Sequence, residues 1–199
     1  SKVEGSAWKV NHLRFGAIAI FCYVGAEVAI GSIMINFLGQ PSMGGMSHEH
    51  AAHYVSYYWG SAMIGRFIGF VAMQKIRAEK GLAFVAIMGL LFVGTGIIAH
   101  GQLAVWAIVC CGLFNSIMWP CIFPLSVRNL GPLTSQGSGI LVTMVVGGAV
   151  IPEIQAYLAD VFGYQPSFIV VLLCYAYILF FAVKGYKAPS LVLIAIKDP

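Results

Sequence analysis

Phe15 to Leu38 reads FGAIAIFCYVGAEVAIGSIMINFL, 24 residues that contain a single formal charge, that of Glu27. A run of this length, at about 1.5 Å of rise per residue, crosses the roughly 30 Å hydrocarbon layer of a bilayer as one helix. Outside it the pattern repeats. Of 199 residues 60% are hydrophobic and 9% charged, against about 25% charged in an ordinary soluble domain, so a water-soluble fold is almost excluded. A mean hydropathy of +0.89 and 23 glycines point to spanning helices packed through small residues. The length accommodates about six such helices and no separate soluble domain, which predicts an all-α polytopic membrane protein.

The first run closes at Gly39, Gln40, Pro41 and the Gly44-Gly45 pair. Ser47 is positioned to cap a second helix, with Glu49 in its first turn, that runs to about Gln74 and meets the basic cluster Lys75, Arg77, Lys80. A third is expected over Leu82 to Ala99 and a fourth from Leu103 to about Val127. A fifth would run from about Ser135 to Ala159, and a sixth from about Pro166 to Val183. The expected bundle therefore occupies residues 14–184, with a tail over 185–199 in which Ser190 to Ile196 is apolar but too short to span. No internal repeat at a solenoid period is visible.

Lys2, Lys9 and Arg14 precede the first span. Lys75, Arg77 and Lys80 follow the second, Arg128 the fourth, and Lys184, Lys187 and Lys197 the sixth. The alternate loops contain no Lys or Arg. Since Lys and Arg are retained in cytoplasmic loops, both termini are expected in the cytoplasm, and the net charge of +4 is a topological signal rather than one for nucleic acid. The polar start, Ser1 to Arg14, has neither a signal-peptide pattern nor an initiator Met and reads as a chain entered midway. Cys22, Cys110, Cys111, Cys121 and Cys174 all lie in apolar runs and read as packing residues.

Three places could carry chemistry. Glu27 lies near the bilayer centre, where a carboxylate binds a substrate, exchanges a proton or pairs with a buried cation such as Arg66; Tyr23 and Gly31 share its helix face. In the fourth span Asn115, Trp119, Pro120 and Pro124 combine amide, aromatic ring and freed backbone carbonyls, a combination suited to a sugar, whose C–H faces stack while its hydroxyls bond. The bland alternative is a kinked packing helix with an interhelical Asn bond. In the fifth, Gly147, Gly148 and Pro152 permit close approach and bending, while Ser61, Gly65 and Gly69 form a small-residue packing stripe on the second. His48, His50 and His53 with Glu49 lack a complete ligand set, so no metal site is expected. No phosphate loop or nucleophile elbow is present, and an enzyme is not expected.

The strings FCYVGAEVAIGS (Phe21 to Ser32), YWGSAMIGRFIG (Tyr58 to Gly69), GLFNSIMWPCIFPLSVRNLGPLTSQGSG (Gly112 to Gly139) and VGGAVIPEIQAYLAD (Val146 to Asp160) resemble the fucose/glucose-galactose permeases of the major facilitator superfamily, in order, over about Arg14 to Lys184. The resemblance implies the C-terminal half of a twelve-helix carrier in a bacterial inner membrane, with residues 1–13 as part of the cytoplasmic linker between halves. It further implies hexose uptake, of glucose, galactose or fucose, coupled to H⁺ or Na⁺ and carried out by alternating access. Glu27, Asn115, Trp119 and, through its shared face, Tyr23 are the expected sugar contacts. Arg66 and Gly69, with Pro120, Gly147, Gly148 and Pro152, are the expected packing and gating residues. The partners implied are the sugar, the bilayer and a complementary six-helix half, from the same chain, a second copy or another subunit. The competing expectation is a non-transporting six-helix subunit packed in a larger membrane complex.

Overall fold

The computed structural model describes residues 5–188, and within them every regular element is helical. The helices are α1 (Asn11–Leu38), α2 (His48–Ala72), α3 (Ala78–Ile98), α4 (Gly101–Val127), α5 (Thr134–Thr143), α6 (Gly147–Phe162), α7 (Tyr164–Ser167) and α8 (Ile169–Phe180). Ser47 caps α2 as the sequence predicts, its Oγ accepting from the His50 N–H at 3.3 Å. The turn before it uses left-handed backbone at Gly44 and Gly45, φ 110° and 58°, a region open to glycine. The expected tail segment Ser190 to Ile196, with Lys2 and Lys197, lies outside the described residues.

The helices differ in detail from the expected spans. The first helix begins at Asn11, three residues before the expected start of the bundle. The fifth span is interrupted: a 3₁₀ turn, Met144–Val146, separates α5 from α6. There the Thr143 hydroxyl donates to the Ile140 carbonyl at 2.7 Å, competing with the helix ladder just before Gly147 and Gly148. The sixth span likewise consists of α7, a turn, α8 and a π segment Phe181–Gly185. Five of the helical spans are by length and composition apolar enough to cross a membrane. α2 is as long, about 37 Å, but its tyrosines, Trp59, serines, glycines and Arg66 make it less apolar than the others.

α1 and α4 cross at the centre of the bundle. α2 packs on α4 and α6 on α1, while α3 and α8 pack on α4 and α1 respectively and on each other. Exchanging α1–α3 for α4–α8 therefore reproduces the arrangement, and because α1 and α4 run in opposite directions the two triplets are inverted relative to each other. The contacts match in register. A Cβ added to Gly65 of α2 would overlap the Leu113 main chain of α4, and one at Gly69 would meet Ile117. A Cβ at Gly147 of α6 would overlap the Phe21 main chain of α1, and Ile151 fits against Gly25.

The bundle's two ends differ in chemistry. At the basic end, His12 Nε2 donates to the Arg128 carbonyl at 2.7 Å, the Ala7 N–H to Gln136 Oε1 at 2.8 Å, and Arg77 and Arg128 flank the buried Glu79, the latter at 3.9 Å. At the other end Gln165 donates to the carbonyls of Gly96 (3.1 Å) and Ala99 (2.6 Å), tying two loops together. There Tyr54, Tyr57 and Trp106 stack in a group with ring centroids 5.6 to 6.1 Å apart, an arrangement suited to a membrane–water interface.

Candidate functional site

The middle of α1 presents Tyr23 and Glu27 one turn apart, and the Tyr23 hydroxyl donates to Glu27 Oε2 at 3.1 Å. Across from them on α4, the Trp119 ring centroid is 6.4 Å from that of Tyr23, tilted by 57°, and stacks on Phe123 at 5.9 Å. Tyr23 and Trp119, together with Ser116, Pro120, Arg66 and Gly69, line a cavity of about 660 Å³ between α2 and α4. It extends past Phe70, Met73 and Gln74 toward the basic end. This volume lies within the roughly 300–1,000 Å³ of small-molecule sites. The second Glu27 oxygen, Oε1, is buried and has no hydrogen-bond partner.

The alternative in which Glu27 pairs with Arg66 is not realised. Among the described residues no ion pair joins them within 4 Å, and Arg66 is exposed on the cavity wall. From one turn of α1, then, a carboxylate with one free oxygen is bonded to Tyr23, whose ring with that of Trp119 lines a partly open cavity. Chemically, this arrangement can accept a hydroxyl hydrogen bond, stack an apolar sugar face, and gain or lose a proton.

The residues predicted from sequence separate into three groups. Tyr23, Glu27 and Trp119 come together, with Arg66, Gly69 and Pro120 around the adjoining cavity. Asn115 does not join them. It is 0% exposed and spends its amide behind the site, Nδ2 donating to the Tyr58 hydroxyl at 2.9 Å and Oδ1 accepting from the Tyr175 hydroxyl at 2.5 Å. The interhelical Asn bond weighed as its bland alternative is thus present. Gly147, Gly148 and Pro152 lie on α6, where Gly147 packs on Phe21 and Gly148 approaches Val24 and Val28. Pro152 borders a second cavity of about 150 Å³ between α1 and α6, with Ser32, Asn36 and Asp160.

Sequence reasoning missed Tyr58 and Tyr175. A signal existed for Tyr58, which continues the Ser61, Gly65, Gly69 stripe one turn further, so its hydroxyl had to be buried and hence bonded. Its Oη donates to the Glu27 main-chain carbonyl at 2.8 Å.

An all-helical bundle of two inverted triplets is the architecture of one half of a major facilitator superfamily transporter. Comparison with known proteins agrees. The chain superposes on the crystal structure of a variant of the Escherichia coli fucose:proton symporter with a TM-score of 0.86 and 30% identity, covering 91% of this chain and 44% of that one. The same symporter class in an outward conformation matches with a TM-score of 0.84, also at 30% identity, over 89% of this chain and 43% of that one. By sequence the chain is 50% identical over 187 residues to a glucose/galactose transporter of Brucella abortus, covering 94% of this chain and 45% of the relative. It is 46% identical over 189 residues to a putative glucose/galactose transporter of Helicobacter pylori, 92% of this chain and 46% of the relative. The L-fucose-proton symporter of Escherichia coli is 31% identical over 175 residues, 87% of this chain and 40% of the relative. No family model matches. Fold and sequence together relate the chain to the fucose/glucose-galactose permeases of the major facilitator superfamily. It spans about half the length of the curated relatives it matches.

Proposed function

We propose that this chain is the second, C-terminal half of a cation-coupled hexose carrier in a bacterial inner membrane, working by alternating access with a complementary six-helix half. The observation that carries the proposal is the pair Tyr23 and Trp119 on the wall of the 660 Å³ cavity, with the Glu27 carboxylate hydrogen-bonded to Tyr23. Glu27 supplies a hydrogen-bond acceptor that a sugar hydroxyl needs, and Trp119 a stacking face for its C–H side. Relatives named glucose/galactose transporter favour a hexose, and one named L-fucose-proton symporter favours a proton as the coupled ion. The concentration of Lys and Arg at one end favours that end, with both termini, on the cytoplasmic side. The half-length match favours a second half across the open face of α1, α2, α4 and α6.

The test is uptake of labelled hexose into proteoliposomes that hold this chain with its complementary half, with and without an imposed proton gradient. Gradient-driven uptake that is lost or uncoupled in Glu27→Gln supports the proposal. Uptake with the same rate and pH dependence in Glu27→Gln removes Glu27 from the site.

A further inference from the structure

Behind the cavity a series of buried hydrogen bonds crosses four helices. The Tyr175 hydroxyl of α8 donates to Asn115 Oδ1 of α4 at 2.5 Å, Asn115 Nδ2 donates to the Tyr58 hydroxyl of α2 at 2.9 Å, and Tyr58 donates to the Glu27 carbonyl of α1 at 2.8 Å. Tyr58, Asn115 and Tyr175 are each 0% exposed. The series ends on a main-chain carbonyl, which can only accept, so every earlier donor has a fixed direction. Tyr58 must give its one hydrogen to Glu27, its lone pair then takes the Asn115 N–H, and the Asn115 oxygen is left to accept from Tyr175. No member has a hydrogen to spare for a ligand in the cavity, with the exception of one Asn115 amide hydrogen that is itself buried.

The residue at the end of this series is Glu27 itself. Its carbonyl accepts from Tyr58, while its side-chain Oε2 accepts from Tyr23 and Oε1 is unpaired. A rotation of α1 that turned Glu27 and Tyr23 together away from Trp119 would also draw the Glu27 carbonyl off Tyr58 and leave the Tyr58 hydroxyl hydrogen without an acceptor in an apolar interior. Such unsatisfied groups cost much more than the bond itself contributes.

We infer that Tyr58, Asn115 and Tyr175 are positioning residues that set the orientation of Glu27 through its main chain, and that Asn115 serves the site in this way rather than by touching sugar. The inference concerns how Glu27 is held; its consequence for sugar rests on the transport reading above.

Two measurements test it, each with a distinct outcome. In the first, Glu27 of the purified protein in nanodiscs is labelled with dicyclohexylcarbodiimide, an apolar carboxyl reagent, and Glu27→Gln defines the background. Tyr58→Phe is expected to change the labelling rate by about three- to tenfold, the size expected for one buried hydrogen bond. Tyr175→Phe, at the far end of the relay, should change it in the same direction by less. If both variants unfold at lower temperature but label at the wild-type rate over the whole pH range, the relay is packing only and the inference is overturned. In the second, hexose affinity is measured with the complementary half present. Tyr58→Phe should weaken binding in the wild type and have no further effect in a Glu27→Gln background. Equal weakening in both backgrounds overturns the inference. If Glu27→Gln alone leaves hexose affinity unchanged, the sugar-site reading fails while the labelling result still decides the relay.

Discussion

Gly147→Ala adds one methyl group at the closest approach of α6 to α1, and the structure sets its cost. The new Cβ would overlap the Phe21 carbonyl oxygen and stand 2.8 Å from the Phe21 carbonyl carbon and 2.9 Å from its Cα, where 3.4–4 Å is ordinary contact. All three neighbours are main-chain atoms of a buried helix, so no side chain can rotate aside and the two helices must part. Overpacking of this kind costs about 1–3 kcal/mol, offset by up to about 1 kcal/mol because Ala favours the helix over Gly. Gly60→Ala isolates the second quantity. Gly60 is interior to α2 with nothing within 4 Å of a Cβ, so that substitution has the propensity gain alone. The difference between the two variants is then the steric cost itself, about 1–3 kcal/mol. Gly148→Ala should fall between them, since its Cβ would meet only the side-chain tips of Val24 (3.1 Å) and Val28 (3.3 Å). The assay is unfolding of the purified protein in mixed micelles with increasing dodecyl sulfate, followed by circular dichroism. Equal midpoints for Gly147→Ala and Gly60→Ala would refute the argument that α1 and α6 touch through their backbones.

Three further outcomes follow from the geometry. Trp119→Ala should weaken hexose binding about three- to tenfold, the value of one aromatic stacking contact, and Trp119→Phe should restore most of it, both read by equilibrium binding. Gln165→Leu removes the donors to Gly96 and Ala99, and a loss of about 1–3 kcal/mol should appear as faster hydrogen exchange confined to the two loops at that end. Ser47→Ala removes the α2 cap, and about 0.5–2 kcal/mol of stability should be lost with no change in hexose affinity, because the cap lies far from Trp119 along the bundle.

Much of this was legible in the sequence, for physical reasons that differ from one feature to the next. Spans announce themselves because hydrocarbon excludes charge, so the run from Phe15 to Leu38 could mean little else. Glu27 stood out for the same reason in reverse, as the one charge in that run. Trp119 was singled out beside Asn115 and Pro120, and Tyr23 for sharing a helix face with Glu27; the structure brings the two rings within 6.4 Å. Asn115 was read as a sugar contact because a mid-span amide must be satisfied, and sequence cannot say whether by a ligand or by neighbouring helices; in the structure Tyr58 and Tyr175 bond it. The interruption at Met144–Val146 was hidden because every residue around it is apolar or small, and hydropathy does not distinguish α from 3₁₀ backbone.

The inverted pairing of α1–α3 with α4–α8 escaped the sequence altogether, and its contacts show why. On α2, Gly65 and Gly69 lie four residues apart opposite Leu113 and Ile117 of α4; on α6, Gly147 and Ile151 lie four apart opposite Phe21 and Gly25 of α1. The first contact places glycine on the flanking helix in both triplets. In the second the small partner changes sides, Gly69 against Ile117 in one and Gly25 against Ile151 in the other. Helix packing requires only that a small residue face a large one at a given level, and either helix can supply the small one. Two copies of the same architecture can therefore keep every crossing while sharing almost no residue identities. The exchange also has a consequence for the site. With Gly25 taking the small role on α1 itself, α6 seats close against one side of that helix between Tyr23 and Glu27, which leaves their common face turned toward Trp119 and the cavity rather than toward a flanking helix.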